Sequence, residues 1–182
     1  MNAVSKQEYG NLRKRYSYLV AVPLLLAIFH FIGQILLQYS LSLDKSDPTL
    51  YHDSFSSLGR IFSSSALPCL CLSPKYDLKR IYSVSAVVSI ALGLILVFSS
   101  VYASRGKGRC LLLALCIEGA DLALLLPCLI LSLKGRYPLK MTLTDYILNL
   151  LFHLIGLAAL IYSLPVIRKI HDYEVSQGEI KE

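Results

Sequence analysis

The chain has 182 residues, of which 55% are hydrophobic and only 16% charged, with a mean hydropathy of +0.57. Soluble domains carry about 45–50% apolar and about 25% charged residues, and disordered chains are more polar still, so both classes are excluded. Five Cys are too few for a disulfide-rich secreted scaffold, and a net charge of +6 suits the basic flanks of membrane spans without requiring nucleic acid. These figures leave an all-α, polytopic membrane protein in which 1–182 form a single transmembrane domain.

A bilayer core of about 30 Å takes about 20 residues of helix to cross. Four apolar stretches meet that length, at about 16–39, 81–103, 110–133 and 144–167, and Tyr at their ends supplies the interfacial anchors. They predict four transmembrane helices in an antiparallel bundle. The first follows Arg13-Lys14-Arg15 but is longer than a signal-peptide core and lacks a small-residue cleavage site, so it is expected to be an uncleaved anchor.

The first loop, 40–80, is long and rich in Ser, Asp and Pro. Within it Tyr51, Phe55, Leu58 and Phe62 share a helical face, with Asp47-Pro48 as a helix start and Ser57 and Arg60 on the opposite side. This pattern predicts a short amphipathic helix lying in the membrane interface. The run 61–72 contains Ser63, Ser64, Ser65 and Pro68 and would rise only about 18 Å as a helix, so a re-entrant segment is expected there rather than a fifth span. Cys69 and Cys71 lie near its end, and Cys110 follows the basic turn at 105–109. All three are juxtamembrane candidates for lipidation, though a free Cys also packs as a small hydrophobe.

Gly-rich, basic 105–109 forces a hairpin between the second and third spans; Lys134-Gly135 and Pro138 stop the third; Thr142 or Thr144 can cap the fourth. Arg13-Lys14-Arg15 beside the first span favours cytoplasmic N- and C-termini, the tail 168–182 included. The same triplet looks like an arginine-based retention signal, but beside the membrane its plainer role is a topology anchor; the expected address is an endomembrane one, the endoplasmic reticulum or Golgi.

Ionisable groups are costly inside the bilayer, which makes them the sharpest functional pointers in a span. Glu118 and Asp121 share a face of the third span, His30 and Gln34 one of the first, and Asp145, Asn149 and His153 one of the fourth. At 1.5 Å of rise per residue, His30 and His153 fall about 3–4 Å outside the span centres, Asp121 near the midplane and Glu118 about 6 Å inside it. Ser85, Ser89 and Gly93 form a matching stripe on the second span.

His30, Gln34, Glu118, Asp121, Asn149 and His153 are therefore the candidate ligand-binding or proton-path residues. The leading expectation is a non-catalytic subunit or scaffold of an endomembrane complex or trafficking machinery. It implies a membrane-protein partner or a homo-oligomer, with Glu118 and Asp121 facing it. The alternative is lipid- or sterol-ligand binding, or proton-coupled transport, with the carboxylates facing His30 and His153 inside one chain. A third possibility is that the same groups only bond the helices together. No phosphate loop, nucleophile elbow, Cys-x-x-Cys or His-Glu-x-x-His is present; catalysis through His30 or His153, or a metal or haem held by them, rests on position alone and single His residues on two helices are a weak signal, so no catalytic residue, cofactor or metal is expected.

Overall fold

A computed structural model describes residues 6–43, 54–71, 78–105, 108–133 and 142–177. It contains α1 (Lys6–Leu43), α2 (Ser54–Ile61), α3 (Ala66–Cys71), α4 (Leu78–Ser104), α5 (Cys110–Leu133) and α6 (Leu143–Ser176), with no strand among the described residues. Four helices contain segments long and apolar enough to cross a membrane: Gln7–Ser40, Lys79–Ser104, Cys110–Leu131 and Leu143–Ser176. The expected helix start at 47–48, the stop at 134–138 and the middle of the basic turn, 106–107, lie outside the described residues.

The long helices outrun the apolar stretches that predict them. With 38 residues α1 is about 57 Å long, and with 34 α6 is about 51 Å, well beyond a bilayer core of about 30 Å. Charged residues end an apolar run without ending a helix, so both continue past it and their ends meet. Tyr9 stacks on Tyr173 with ring centroids 4.2 Å apart, its hydroxyl donates to Glu174 at 2.8 Å, and Arg13 pairs with Glu174. Of the two possible caps, Thr142 is the one used. Its hydroxyl accepts from the Asp145 amide while Asp145 accepts from the Thr142 amide, a reciprocal capping box.

Three apolar clusters stack along the helices. Leu12, Tyr16, Leu111 and Val166 fill the end near Tyr9; Leu26, Leu96, Ala114 and Leu160 fill the middle; Leu37, Leu67, Leu125 and Tyr146 fill the far end. Cys69 of α3 and Cys128 of α5 form a disulfide at this far end.

At α2, Leu58 of the apolar stripe is 43% exposed and Phe62, just past the helix end, packs on Phe29 and Phe152, whereas Arg60, on the polar side, is only 1% exposed. Two contacts explain the burial of Arg60. Gly59 lets α2 approach α1 at Gly33, where a Cβ on Gly59 would stand 2.9 Å from the Gly33 carbonyl oxygen, and Arg60 finds a buried carboxylate.

The two glycine environments of α1 predict opposite effects. A Cβ at Gly33 would meet the Phe62 backbone at 3.0 Å, whereas one at Gly10 meets nothing within 4 Å. Gly33→Ala should cost about 1–3 kcal/mol by overpacking, and Gly10→Ala should gain about 0.5–1 kcal/mol of helix propensity. Thermal melts in mild detergent should therefore move down for the first and up for the second.

Candidate functional site

Between α2 and α3 the helix breaks at 62–65, and this break packs among the long helices with Ser63, Ser64 and Ser65 fully buried. A break surrounded by apolar helices exposes backbone N–H and C=O groups that no water can satisfy, so side chains have to supply the partners. The polar residues of the spans do this one by one.

His30 Nδ1 donates to the Phe62 carbonyl at 3.0 Å. Asn149 Nδ2 reaches the carbonyls of Arg60 at 3.0 Å, Ile61 at 2.9 Å and Ser63 at 2.9 Å, and His153 Nε2 lies 3.2 Å from the Ser63 carbonyl. On the donor side the Ser64 amide bonds Ser89 Oγ at 3.2 Å. The Ser65 amide bonds Asp121 Oδ2 at 3.0 Å, and the Ser65 hydroxyl bonds Asp121 Oδ1 at 2.6 Å. Gln34 Nε2 donates to Ser89 Oγ at 2.9 Å, which donates on to Ser64 Oγ at 3.1 Å.

Each α-helical stripe read from the sequence thus meets the same short segment. All six candidate residues, His30, Gln34, Glu118, Asp121, Asn149 and His153, are buried inside one chain. Glu118 and Asp121 do not face outward toward a partner, because the break and His153 lie on their side of α5. His153 Nδ1 is 2.8 Å from Glu118 Oε1, and its Nε2 is 3.4 Å from Asp121 Oδ2. The His30 and His153 rings are 5.6 Å apart.

One layer farther toward the disulfide end, Arg60 Nε bonds Asp145 Oδ2 at 2.9 Å, and both side chains are buried. The guanidinium also donates to Tyr82 Oη at 3.4 Å and Ser57 Oγ at 3.1 Å. Asp145 therefore serves as helix-cap residue and counter-ion together. Sequence reading missed Arg60, Ser63, Ser64, Ser65 and Tyr82 as members of the site. The available signal was Arg60 itself, a full charge beside an apolar, Ser-rich run, facing a span with an acidic first turn.

The lipidation candidates separate in the same way. Cys69 is bonded to Cys128 and has no free thiol, Cys71 is buried, and Cys110 is partly exposed. Cys110 lines a cleft of about 630 Å³ with Arg13, Arg109, Arg168 and His171 at the opposite end of the molecule. A second cavity of about 630 Å³ lies between α1 and α4, walled by Phe31, Gln34, Ile35 and Ile90.

Compared with known proteins, the chain matches no family model, no curated protein and no solved structure.

The Arg60–Asp145 pair makes a quantitative prediction. Removing one partner of a buried pair strands the other charge, which typically costs about 3–5 kcal/mol, while removing both leaves no stranded charge. Arg60→Met or Asp145→Leu alone should lower the unfolding free energy in detergent by about that amount. The double variant should be more stable than either single one.

Proposed function

We propose that this is a multi-pass membrane protein acting as a non-catalytic subunit or scaffold of an endomembrane complex, its spans running antiparallel and both termini cytoplasmic, with any partner docking away from Glu118 and Asp121, which face His153 and the break inside the chain. The observation that carries the reading is that the buried polar groups are spent on holding the 54–71 segment in place. The network runs inward from Arg60 and Asp145 as far as Glu118; beyond it the core gathers around Leu96 and Leu160 and around Leu111 and Val166, where the buried hydroxyls of Ser99, Ser100, Ser163 and Tyr16 bond helix carbonyls and do not extend it. A proton or ion path needs polar groups or water through the full thickness. A network that ends blind is suited to fixing shape.

Two features support the orientation and a membrane of the secretory route. The Cys69–Cys128 disulfide lies at the end opposite Tyr9 and Tyr173, and disulfides persist on the lumenal or external side of secretory membranes. Arg13, Arg109 and Arg168 gather at the other end, as the positive-inside rule expects of cytoplasmic flanks. The 54–71 segment then enters from the lumenal side as a re-entrant element, not as a helix lying flat on the interface.

A lipid-binding reading is favoured by one specific observation, the apolar groove between α1 and α4 with Gln34 in its wall. Native mass spectrometry of the protein extracted gently from its own membranes separates the two. A stoichiometric protein partner is expected. A bare chain retaining one lipid would move the lipid reading ahead. Proton flux through reconstituted vesicles that Asp121→Asn abolishes would contradict the blind-ended network and restore transport.

A further inference from the structure

We propose that His30, Glu118 and His153 form a binding site for one divalent transition-metal ion of the zinc class, tying α1, α5 and α6 together at mid-span. The three residues are buried, and one ligand atom from each lies within 4.8 Å of the other two. The hydrogen bonds around them show which atoms remain for a cation.

A carbonyl oxygen only accepts, so the imidazole nitrogen bonded to it has to carry the hydrogen. His30 Nδ1 faces the Phe62 carbonyl and His153 Nε2 faces the Ser63 carbonyl. In the neutral ring each histidine then has its lone pair on the other nitrogen. For His153 that nitrogen is Nδ1, which stands 2.8 Å from a Glu118 carboxylate oxygen. Two lone pairs at that distance repel unless a proton or a metal ion lies with them; 2.8 Å is a hydrogen-bond length, and a tetrahedral metal held at about 2.0–2.1 Å by both atoms would spread them to about 3.3 Å.

Three features favour a metal ion over a proton. First, a second imidazole shares the same small space, so a third donor converges where one proton serves only two. Second, metal-ligating histidines are typically oriented by a carbonyl or carboxylate on their other nitrogen. His30 has the Phe62 carbonyl in that position, and His153 has both the Ser63 carbonyl and Asp121 Oδ2 at 3.4 Å. Third, Glu118 and Asp121 bring up to two negative charges to mid-span, and Arg60 is committed to Asp145. A dication balances two carboxylates where burial of uncompensated charge is most expensive. A donor set of two imidazoles and one carboxylate suits zinc, and also iron, cobalt or manganese of the same charge. Asp121, held by Ser65, is a positioning residue for His153 and not a ligand.

The site needs neither a partner nor a catalytic role, so it stands independently of the functional reading above. The test uses the full-length protein in mild detergent, stripped with a chelator and titrated with Zn²⁺, with bound metal counted by elemental analysis. About one Zn²⁺ per chain is expected, with a zinc-dependent rise in melting temperature. X-ray absorption at the zinc edge should show two imidazoles and an oxygen donor at about 2.0–2.1 Å. His30→Ala should abolish binding, and Asp121→Asn should weaken it about 10–100-fold. The unmodified protein alone decides the matter if the variants fail to fold. No binding of Zn²⁺, Co²⁺, Fe²⁺ or Mn²⁺ would overturn the proposal and leave a proton between His153 and Glu118. So would sulfur-dominated absorption or undiminished binding by a folded His30→Ala protein.

Discussion

A peptide chain that interrupts its helix inside an apolar interior leaves N–H and C=O groups that must be paired by something other than water. The break at 62–65 imposes that requirement here, and much of the polar chemistry of the spans answers it. Carbonyls of residues 60–63 are met by Asn149, His30 and His153, and the amides of Ser64 and Ser65 by Ser89 and Asp121. Take the break away and these side chains become costly without a purpose. Take the side chains away and the break has no place among the helices.

The same dependence orders the rest of the fold. Gly33 and Gly59 bring α1 and α2 close enough for the break to be inserted, while Arg60 and Asp145 close the network on the disulfide side. Asp145 does so from the first turn of α6, where it also completes the cap with Thr142. The Cys69–Cys128 bond then fastens α3, just beyond the break, to α5. Backbone pairing, a buried ion pair and a covalent bond thus hold one short segment against all four long helices, α1, α4, α5 and α6.

Much of this was legible in the sequence, and the limit of legibility is physical. Uninterrupted apolar length marks four membrane-crossing helices, because nothing else satisfies about 20 consecutive residues in hydrocarbon. The stripes of His30 with Gln34 and of Asp145, Asn149 and His153 are visible because a helix places every fourth residue on one face. What they touch is not visible. Arg60 and Asp145 are separated by 85 positions, and no local pattern encodes their contact. The burial of Arg60 is hidden for a related reason: its place on the polar side of α2 predicts exposure, and only the close approach at Gly59 and the Asp145 carboxylate bring it inward.

The 62–65 break is seated among the helices and bonded to their polar residues. Hydrogen–deuterium exchange of the full-length protein in lipid nanodiscs, read at the Ser64 and Ser65 amides, tests this most directly. Protection comparable to that of the mid-span amides of α5 and α6 is the predicted result. Exchange as fast as that of an unstructured surface loop would contradict the account, since those amides would then be donating to water and not to Ser89 and Asp121.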